Sequence, residues 1–441
     1  MKFQTNHFSA SLLVFSFFFS IELMAQEQKA FATVDEVLTF TKNNNYEFKN
    51  NQIQVKIADL LRKGAAINII NPKVPASTQV LNNINQQVSF LPGEAFGQQQ
   101  GTFKEVTIGQ QYVSTFSIQP QFDIINFVSY SQLKSAKANQ LLVENQNKIN
   151  EQNLYEKINM VYFNIISLKA QKNILLENVE IAKDILRIIQ NKFNEGLARK
   201  QELNEAQVNL ISLQDKLEQI ELNITLQNQI LDLFFENQIN ALLTQNLWEY
   251  ENYKEKLYTQ NSLLIEHAKL QSTIAQLELK ASKYQNLPVL GFVSSFNWQN
   301  LSNNFSFAQN SNWINFNFIG LRLSYDLPTT TSKYISLNTK KLQTQLAVNN
   351  QAHIQNESLN RNNQLLLEYQ KALKQEENFS KIFELKKDTY EKNFNQFKEN
   401  ILPLDKLLIS QNDMLISKLN MVFALTNIGF NKSKIDIYNK F

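Results

Sequence analysis

The chain has 441 residues, 43% hydrophobic and 19% charged, the balance of a folded protein with room for two or three ordinary domains or one elongated one. Its 43 basic and 40 acidic side chains leave a formal charge of +3, too even to point to nucleic acid as a partner. The lack of Cys excludes disulfides, thiolate metal sites, Cys nucleophiles and lipid attachment at an N-terminal Cys, and 9 Gly with 7 Pro favour long helices over many tight turns.

The N-terminus reads as a cleaved leader over residues 1–25. Lys2 gives a thin positive start, Ala10 to Phe19 is apolar and broken only by Ser, and Leu23-Met24-Ala25 before Gln26 is a cleavage site with one departure from the small-residue rule, Leu23. The apolar run is too short to span a bilayer core of about 30 Å. Nothing after it resembles a transmembrane helix, so a mature chain seated in a membrane must sit there as a β-barrel.

From Thr33 to about Asn68 the apolar spacing predicts one helix, opened by Asp35 and Glu36 in its first turn and ended by Pro72 and Pro75. The period then changes to two. Val80, Ile84, Val88 and Phe90 share one parity, as do Val106, Ile108, Tyr112, Phe116 and Ile118. With Pro92, Gly93, Gly97 and Gly101 between them, these runs predict a β-hairpin over about 74–120 with a sizeable loop.

Residues 126–193 carry the clearest pattern. Leu154, Ile158, Val161, Ile165, Leu168, Lys172, Leu175, Val179, Ala182, Leu186, Ile189 and Phe193 step by four and three without a break, and Lys172 is the one polar member. That 3.5-residue repeat is the mark of a coiled coil. Gly196 interrupts it, and Leu203, Ala206, Leu210, Leu213, Leu217, Ile220 and Ile224 resume it, which gives an antiparallel helical hairpin over about 126–237.

After Trp248 the order repeats. A helix is expected to about Gln285, then a second β-hairpin over about 289–327, in which Leu290, Phe292, Phe296 and Trp298 alternate, as do Ile314, Phe316 and Phe318 and then Leu321, Leu323 and Tyr325. The parity of the last run flips at Gly320, which predicts a bulge there. A second coiled-coil hairpin follows over about 331–438, turning at Asn400. Phe193-Asn194-Glu195-Gly196-Leu197 aligns with Phe397-Lys398-Glu399-Asn400-Ile401 at an offset of 204. The chain is thus expected to hold two repeats, 26–245 and 246–441.

The fold class that follows is mainly α with a small β part, built from duplicated helix–β-hairpin–long helix units. Two strands per repeat leave open edges, which lipid does not tolerate, so the strands must close by oligomerising into a barrel between lipid and a watery lumen. Tyr112, Trp298 and Trp313 are candidates for the aromatic belt at a membrane interface, with ordinary packing as the alternative for each. The three His, at 7, 267 and 353, lie far apart and suggest no metal site or triad, and no cofactor is expected.

This pattern resembles the TolC family of outer-membrane efflux proteins across essentially the whole mature chain. The resemblance rests on Lys192 to Leu197 running on to Glu202-Leu203-Asn204-Glu205-Ala206-Gln207, on Asn393 to Gln411, on the strand exit Gln119-Pro120-Gln121-Phe122-Asp123, and on Leu327-Pro328. It implies a homotrimer with a twelve-stranded barrel in outer-membrane lipid and a coiled-coil tunnel crossing the periplasm. It further implies a passive export duct without enzymatic activity, which meets a periplasmic adaptor and an inner-membrane transporter at its tip. On this chain the tip positions are Asn194, Glu195, Gly196, Leu197 and Arg199, with Lys398, Asn400, Ile401, Leu402 and Pro403. The family favours Gly where Asn400 stands, and an acid six residues later; Glu202 fits, but Lys406 stands at the second such place with Asp405 beside it. Glu202, Asp405 and Lys406 are therefore the candidates for an aperture gate. A periplasmic coiled-coil adaptor or scaffold is the competing reading, disfavoured because adaptors carry one helical hairpin between β-rich domains. An enzyme on a coiled-coil stalk would need a phosphate loop, metal cluster or nucleophile elbow, and none is visible.

Overall fold

The computed structural model describes residues 28–237, 239–260, 262–305 and 312–441; the expected leader at 1–25 and part of the loop before Trp313 lie outside them. In chain order the first elements are β1 (Gln28–Phe31), α1 (Val34–Asn43), α2 (Tyr46–Ile67), β2 (Ala76–Asn82), β3 (Gln87–Pro92), β4 (Phe103–Ile108), β5 (Tyr112–Ile118) and β6 (Gln121–Ile125). The long helices α3 (Phe127–Asn194) and α4 (Lys200–Asp232) follow, then β7 (Asn240–Leu243), α5 (Leu263–Tyr284), β8 (Val289–Ser302), β9 (Asn312–Ser324), α6 (Thr331–Lys398) and α7 (Leu404–Asn439). Among the described residues, no helix is long and apolar enough to cross a membrane.

The duplication is carried by the long helices. Both α3 and α6 have 68 residues, and 204 positions separate their first residues, Phe127 and Thr331, as well as their last, Asn194 and Lys398. Even their buried seams correspond. Ser358, Leu365, Tyr369, Ala372, Glu376, Tyr390 and Phe397 of α6 are buried, and each stands 204 places after a member of the α3 repeat. Glu376 thus answers Lys172, the polar member of the first seam.

The helices form an open wall. Near the sheet its order is α2–α3–α5–α6, and farther away it is α4–α3–α7–α6. Side chains pin the order: Asn147 Nδ2 donates to Asn51 O at 3.0 Å, Ser131 Oγ to Leu277 O at 2.9 Å, and Asn159 Nδ2 to Phe430 O at 3.1 Å. The main core lies midway, where Ile158, Tyr162, Phe163, Ile165 and Leu175 of α3 meet Val37, Leu38, Val422 and Leu425. Gly429 of α7 is obligatory there, since a Cβ would stand 2.4 Å from the Phe163 ring and 2.7 Å from that of Tyr250.

Four expectations are corrected. The helix expected over 33–68 is two helices. Asn44 ends α1, and Asn45, extended at φ −134°, caps α2 by accepting from Glu47 N–H at 2.7 Å. The break is held from outside, because Asn45 Nδ2 donates to Phe234 O at 2.8 Å and Glu236 N–H to Asn44 O at 2.7 Å. The helix expected from Trp248 starts only at Leu263; Leu247–Tyr250 forms a single 3-10 turn, and residues 251–260 run without helix or strand across α6 and α7. The first β-hairpin is split in two, with β2 on β5 and β3 on β4, and Gly109 at φ 105° lies at the break. Finally, Gly320 makes no bulge: β8 and β9 pair without interruption from Val289↔Ser324 to Leu301↔Asn312.

Candidate functional site: the hairpin tips and the sheet wall

Both helical hairpins turn by the same hydrogen-bonded motif. At the first tip Leu197 N–H donates to Lys192 O at 2.7 Å and Gly196 N–H to Phe193 O at 3.0 Å. At the second, Ile401 N–H donates to Gln396 O at 2.8 Å and Asn400 N–H to Phe397 O at 3.2 Å. This 6→1 and 5→2 pair requires a left-handed residue between, supplied by Gly196 at φ 76° and by Asn400 at φ 60°. Gly costs nothing there, and Asn is among the few side chains that tolerate it.

The Asn400 side chain has a further use. Lys192 Nζ donates to Asn400 Oδ1 at 2.6 Å and to Phe397 O at 3.1 Å, and lies 4.4 Å from the Phe397 ring centre. The ammonium of the first hairpin thus caps the carbonyl end of the second hairpin's long helix, where a cation is favoured. Beneath the tips Ile185, Ile189, Leu203, Ala206, Tyr390, Phe397, Leu404 and Leu407 form one apolar cluster. Leu197 and Ile401 project from it, 70% and 72% exposed.

The remaining tip residues divide by role. Glu202 reaches back to cap α4, accepting the Arg199 N–H at 2.8 Å. Pro403 precedes α7 at φ −74°, and Leu402 packs on the tip cluster. Lys398 Nζ lies 4.3 Å from the Phe394 ring centre. Asn194, Glu195, Arg199, Asp405 and Lys406 are exposed, while Glu202 is half-buried. Glu202 and Lys406 occupy equivalent places in the two repeats, yet the first is engaged in a helix cap and the second stands free of the tip cluster.

The main sheet runs β2–β5–β8–β9, and β6 continues β5 along β8 after Pro120. Proline has no N–H to give a ladder, and Pro120 O instead accepts from Ser294 N–H at 3.0 Å and Ser294 Oγ at 2.8 Å. The register sorts side chains into two faces. One face carries Phe116 beside Trp298, with ring centres 5.4 Å apart, Ile118 beside Phe296, and Phe122 beside Phe292 at 4.8 Å. Tyr112, Trp298 and Trp313 all lie on this face, in three successive rows. The other face carries Ser77 and Gln79, Thr115 and Ser117, and Ser295, Asn297 and Gln299. There Ser77 Oγ and Ser117 Oγ are 2.7 Å apart, and Asn297 Nδ2 donates to Ser295 Oγ at 2.9 Å.

A belt around the middle of the wall holds α1, the parallel pair β1–β7, and residues 247–260; of these only α1 gave a sequence signal. Glu255 is its clip: the Tyr253 hydroxyl and Lys432 Nζ, the latter at 3.0 Å, both engage its carboxylate, and Tyr369 donates to its carbonyl at 3.0 Å. The Tyr253 hydroxyl, then Lys432, hold the Glu255 carboxyl below the usual range. Burial pushes Tyr369 up to about 12. Burial also raises Glu376, against a backbone N–H from Asn252 that lowers it, with Glu251 and Glu377 adding to the rise. Among the described residues no group of three or more His, Asp or Glu could hold a metal ion.

The sequence pattern of the outer membrane efflux protein family matches residues 94–234. No curated protein matches the chain in sequence. Among solved structures the chain is similar to the outer membrane protein VceC of Vibrio cholerae, with a TM-score of 0.72 at 12% identity over 92% of this chain and 96% of that one. It is similar to the CmeC outer membrane channel of Campylobacter jejuni, at 0.71 and 16% identity over 92% and 85%. It is also similar to the open state of the MtrE outer membrane channel of Neisseria gonorrhoeae, at 0.69 and 12% over 92% and 88%. At these identities what is shared is the fold: a mainly helical wall with a curled sheet at one end.

Proposed function

We propose that this chain, an outer membrane efflux protein with a TolC-like fold, is the outer-membrane duct of a tripartite efflux or type I secretion system. The observation that carries this reading is the open wall. At every level the protein ends on the same two edges, β2, α2 and α4 on one side and β9 and α6 on the other. The edge helices expose apolar stripes: Ile53, Ile57 and Leu60 on α2, Val208, Ile211 and Leu222 on α4, and Ile335, Leu342 and Leu346 on α6. Such edges fit one another in successive copies, head to tail, and a ring of copies removes every open strand edge. With three copies the four-stranded sheets make a twelve-stranded barrel.

In this reading the aromatic sheet face meets lipid, the hydroxyl and amide face meets water, and Tyr112, Trp298 and Trp313 lie toward one membrane boundary. The helices cross the periplasm, and the tips at Gly196 and Asn400 meet an adaptor backed by an inner-membrane transporter. Leu197 and Ile401, exposed and apolar, are its contact points on each tip. The duct conducts without chemistry of its own. Glu202, Asp405 and Lys406 are the candidates to line the aperture, and Glu202 also caps α4. The leader at 1–25 delivers the chain. The adaptor reading has against it a four-stranded sheet with one aromatic face, which a periplasmic protein would leave in water.

Sizing of the detergent-purified protein tests the reading: a trimer with mostly helical circular dichroism is expected. A monomer that stays soluble without detergent would sink it.

A further inference from the structure

Strand β9 breaks the polarity of the sheet. Its ladder to β8 is unbroken, so each β9 side chain shares a face with its partner. Ile314 therefore stands beside Gln299, Phe316 beside Asn297 and Phe318 beside Ser295, all on the face of hydroxyls and amides. Asn315 and Asn317 stand beside Trp298 and Phe296 on the aromatic face. Three strands set the sense of the sheet, and the fourth runs against it from 314 to 318.

The wall accommodates this inversion. Asn317 Oδ1 accepts the Asn297 N–H at 3.1 Å, so its amide is turned back on the ladder. On the other face Asn297 is buried and donates to Phe316 O at 3.1 Å, which holds the strand beside the aromatic ring. Below Gly320 the apolar residues Leu321 and Leu323 rejoin the aromatic face beside Phe292 and Leu290. The parity flip noticed in the sequence is thus a change of face, not a change of register.

We propose that Ile314, Phe316 and Phe318 form an apolar track inside the barrel that binds passing cargo of one chemical class, uncharged amphipathic molecules with an aromatic or aliphatic face. This rests on the duct reading above, which makes the hydroxyl and amide face the lumen. The three side chains are 48%, 48% and 56% exposed. Spaced two residues apart, they extend about 14 Å along the strand, the length of a two-ring molecule. Across the ladder Ser295, Asn297, Gln299, Thr115 and Ser117 are uncharged, and Leu301 and Val113 in the next row extend the apolar surface beyond Ile314. The charges of that face, Arg322 and Asp123, lie beyond Gly320, where Arg322 Nη2 donates to Gln121 Oε1 at 3.4 Å; along 314–318 an apolar surface among neutral amides and hydroxyls offers rings and chains a contact and no ionic partner. One such track recurs in each protomer.

The absence of native Cys makes the facing directly testable. Single variants Phe316→Cys, Phe318→Cys, Asn315→Cys and Asn317→Cys are opened in planar bilayers and exposed to a charged, membrane-impermeant methanethiosulfonate. Current should fall for the variants at 316 and 318 and hold for those at 315 and 317. The opposite pattern overturns the track, because it turns Phe316 and Phe318 to lipid. A wild-type protein that forms no pore overturns the duct reading itself and the track with it. The ligand class is tested with N-phenyl-1-naphthylamine as blocker of the wild-type pore. Block should last about tenfold longer than in the Phe316→Ser/Phe318→Ser double variant, and Phe316→Tyr should keep most of it. Equal block of wild type and double variant, or equal block of wild type by a naphthalene sulfonate, overturns the assignment.

Discussion

Helices α3 and α6 are one helix used twice, equal in length and in seam, yet they live in different surroundings. The core of α3 is closed on several sides, by α2, α4, α5 and α7, and residues such as Ile158, Tyr162 and Ile165 are fully buried. Along α6 only one side is covered, by α5 and α7, while Leu342, Leu346, Leu359 and Leu385 are each more than 60% exposed. The contrast shows that burial here comes from place in the wall and not from the repeat pattern. An inner helix completes its packing within the chain; an edge helix leaves an apolar stripe that, in the proposed ring, the next copy covers.

The largest expected effect separates those two roles. Ile165→Ala in α3 should cost about 2–5 kcal/mol of protomer stability, read from denaturant unfolding, because the buried site cannot collapse. Leu342→Asp with Leu346→Asp in α6 should leave the protomer folded by circular dichroism and abolish the oligomer on sizing columns. If the α6 pair instead unfolds the protomer, the edge assignment is wrong.

The tips give the next contrast. Gly196→Val forces a β-branched residue into the left-handed region and should cost about 1–3 kcal/mol while impairing export with the oligomer intact. Asn400→Gly relieves the backbone but removes the acceptor of Lys192, so a net loss of about 1 kcal/mol or less is expected in thermal melts. A gain in stability would mean that the Lys192–Asn400 bond is worth less than the relief of the backbone.

Smaller still is the loss of the α4 cap. Glu202→Ala should cost about 1 kcal/mol, and the matching change Lys406→Ala should cost nothing measurable, since Lys406 caps no helix.

The last contrast lies at the matched seam positions Lys172 and Glu376. Lys172 escapes to an ion pair with Glu221 at 2.9 Å, whereas Glu376 is 5% exposed and its pKa is raised by burial. A carboxyl that holds its proton more tightly when folded contributes stability at low pH, and that contribution is lost as pH rises through the raised value. Glu376→Gln should therefore stabilise the protein at neutral pH and lose that advantage toward pH 4. An advantage that grows on acidification would refute the sign.

Much of this was legible in the sequence because coiled-coil seams are local. The unbroken steps from Leu154 to Phe193 and the two turns at Gly196 and Asn400 need only near neighbours to specify them. The belt beyond α1 was illegible for the opposite reason. Its parallel pair joins Gln28–Phe31 to Asn240–Leu243, four residues each, too short for a period and too distant for a turn signal. The break between α1 and α2 did leave a trace, since Asn43-Asn44-Asn45 is a run of end and cap residues inside an apolar pattern. At Gly320 the sequence showed a real event but not its kind. Polarity reports which face a side chain prefers, and on β9 the ladder overrules that preference. At the tip, the sequence shows only that Asn400 stands where the family favours Gly; its bond to Lys192 joins residues 208 positions apart and is not visible from either alone.

The equal length of α3 and α6 also limits how such a protein can change over generations. Adding one residue to either helix lifts its turn by about 1.5 Å and swings it by about 100°. The altered tip would no longer lie level with its twin, and its seam would face away from the shared cluster at Leu203 and Leu404. Insertions in these helices are therefore expected to persist only as whole heptads matched in both repeats, while the loops above the sheet remain free to vary in length.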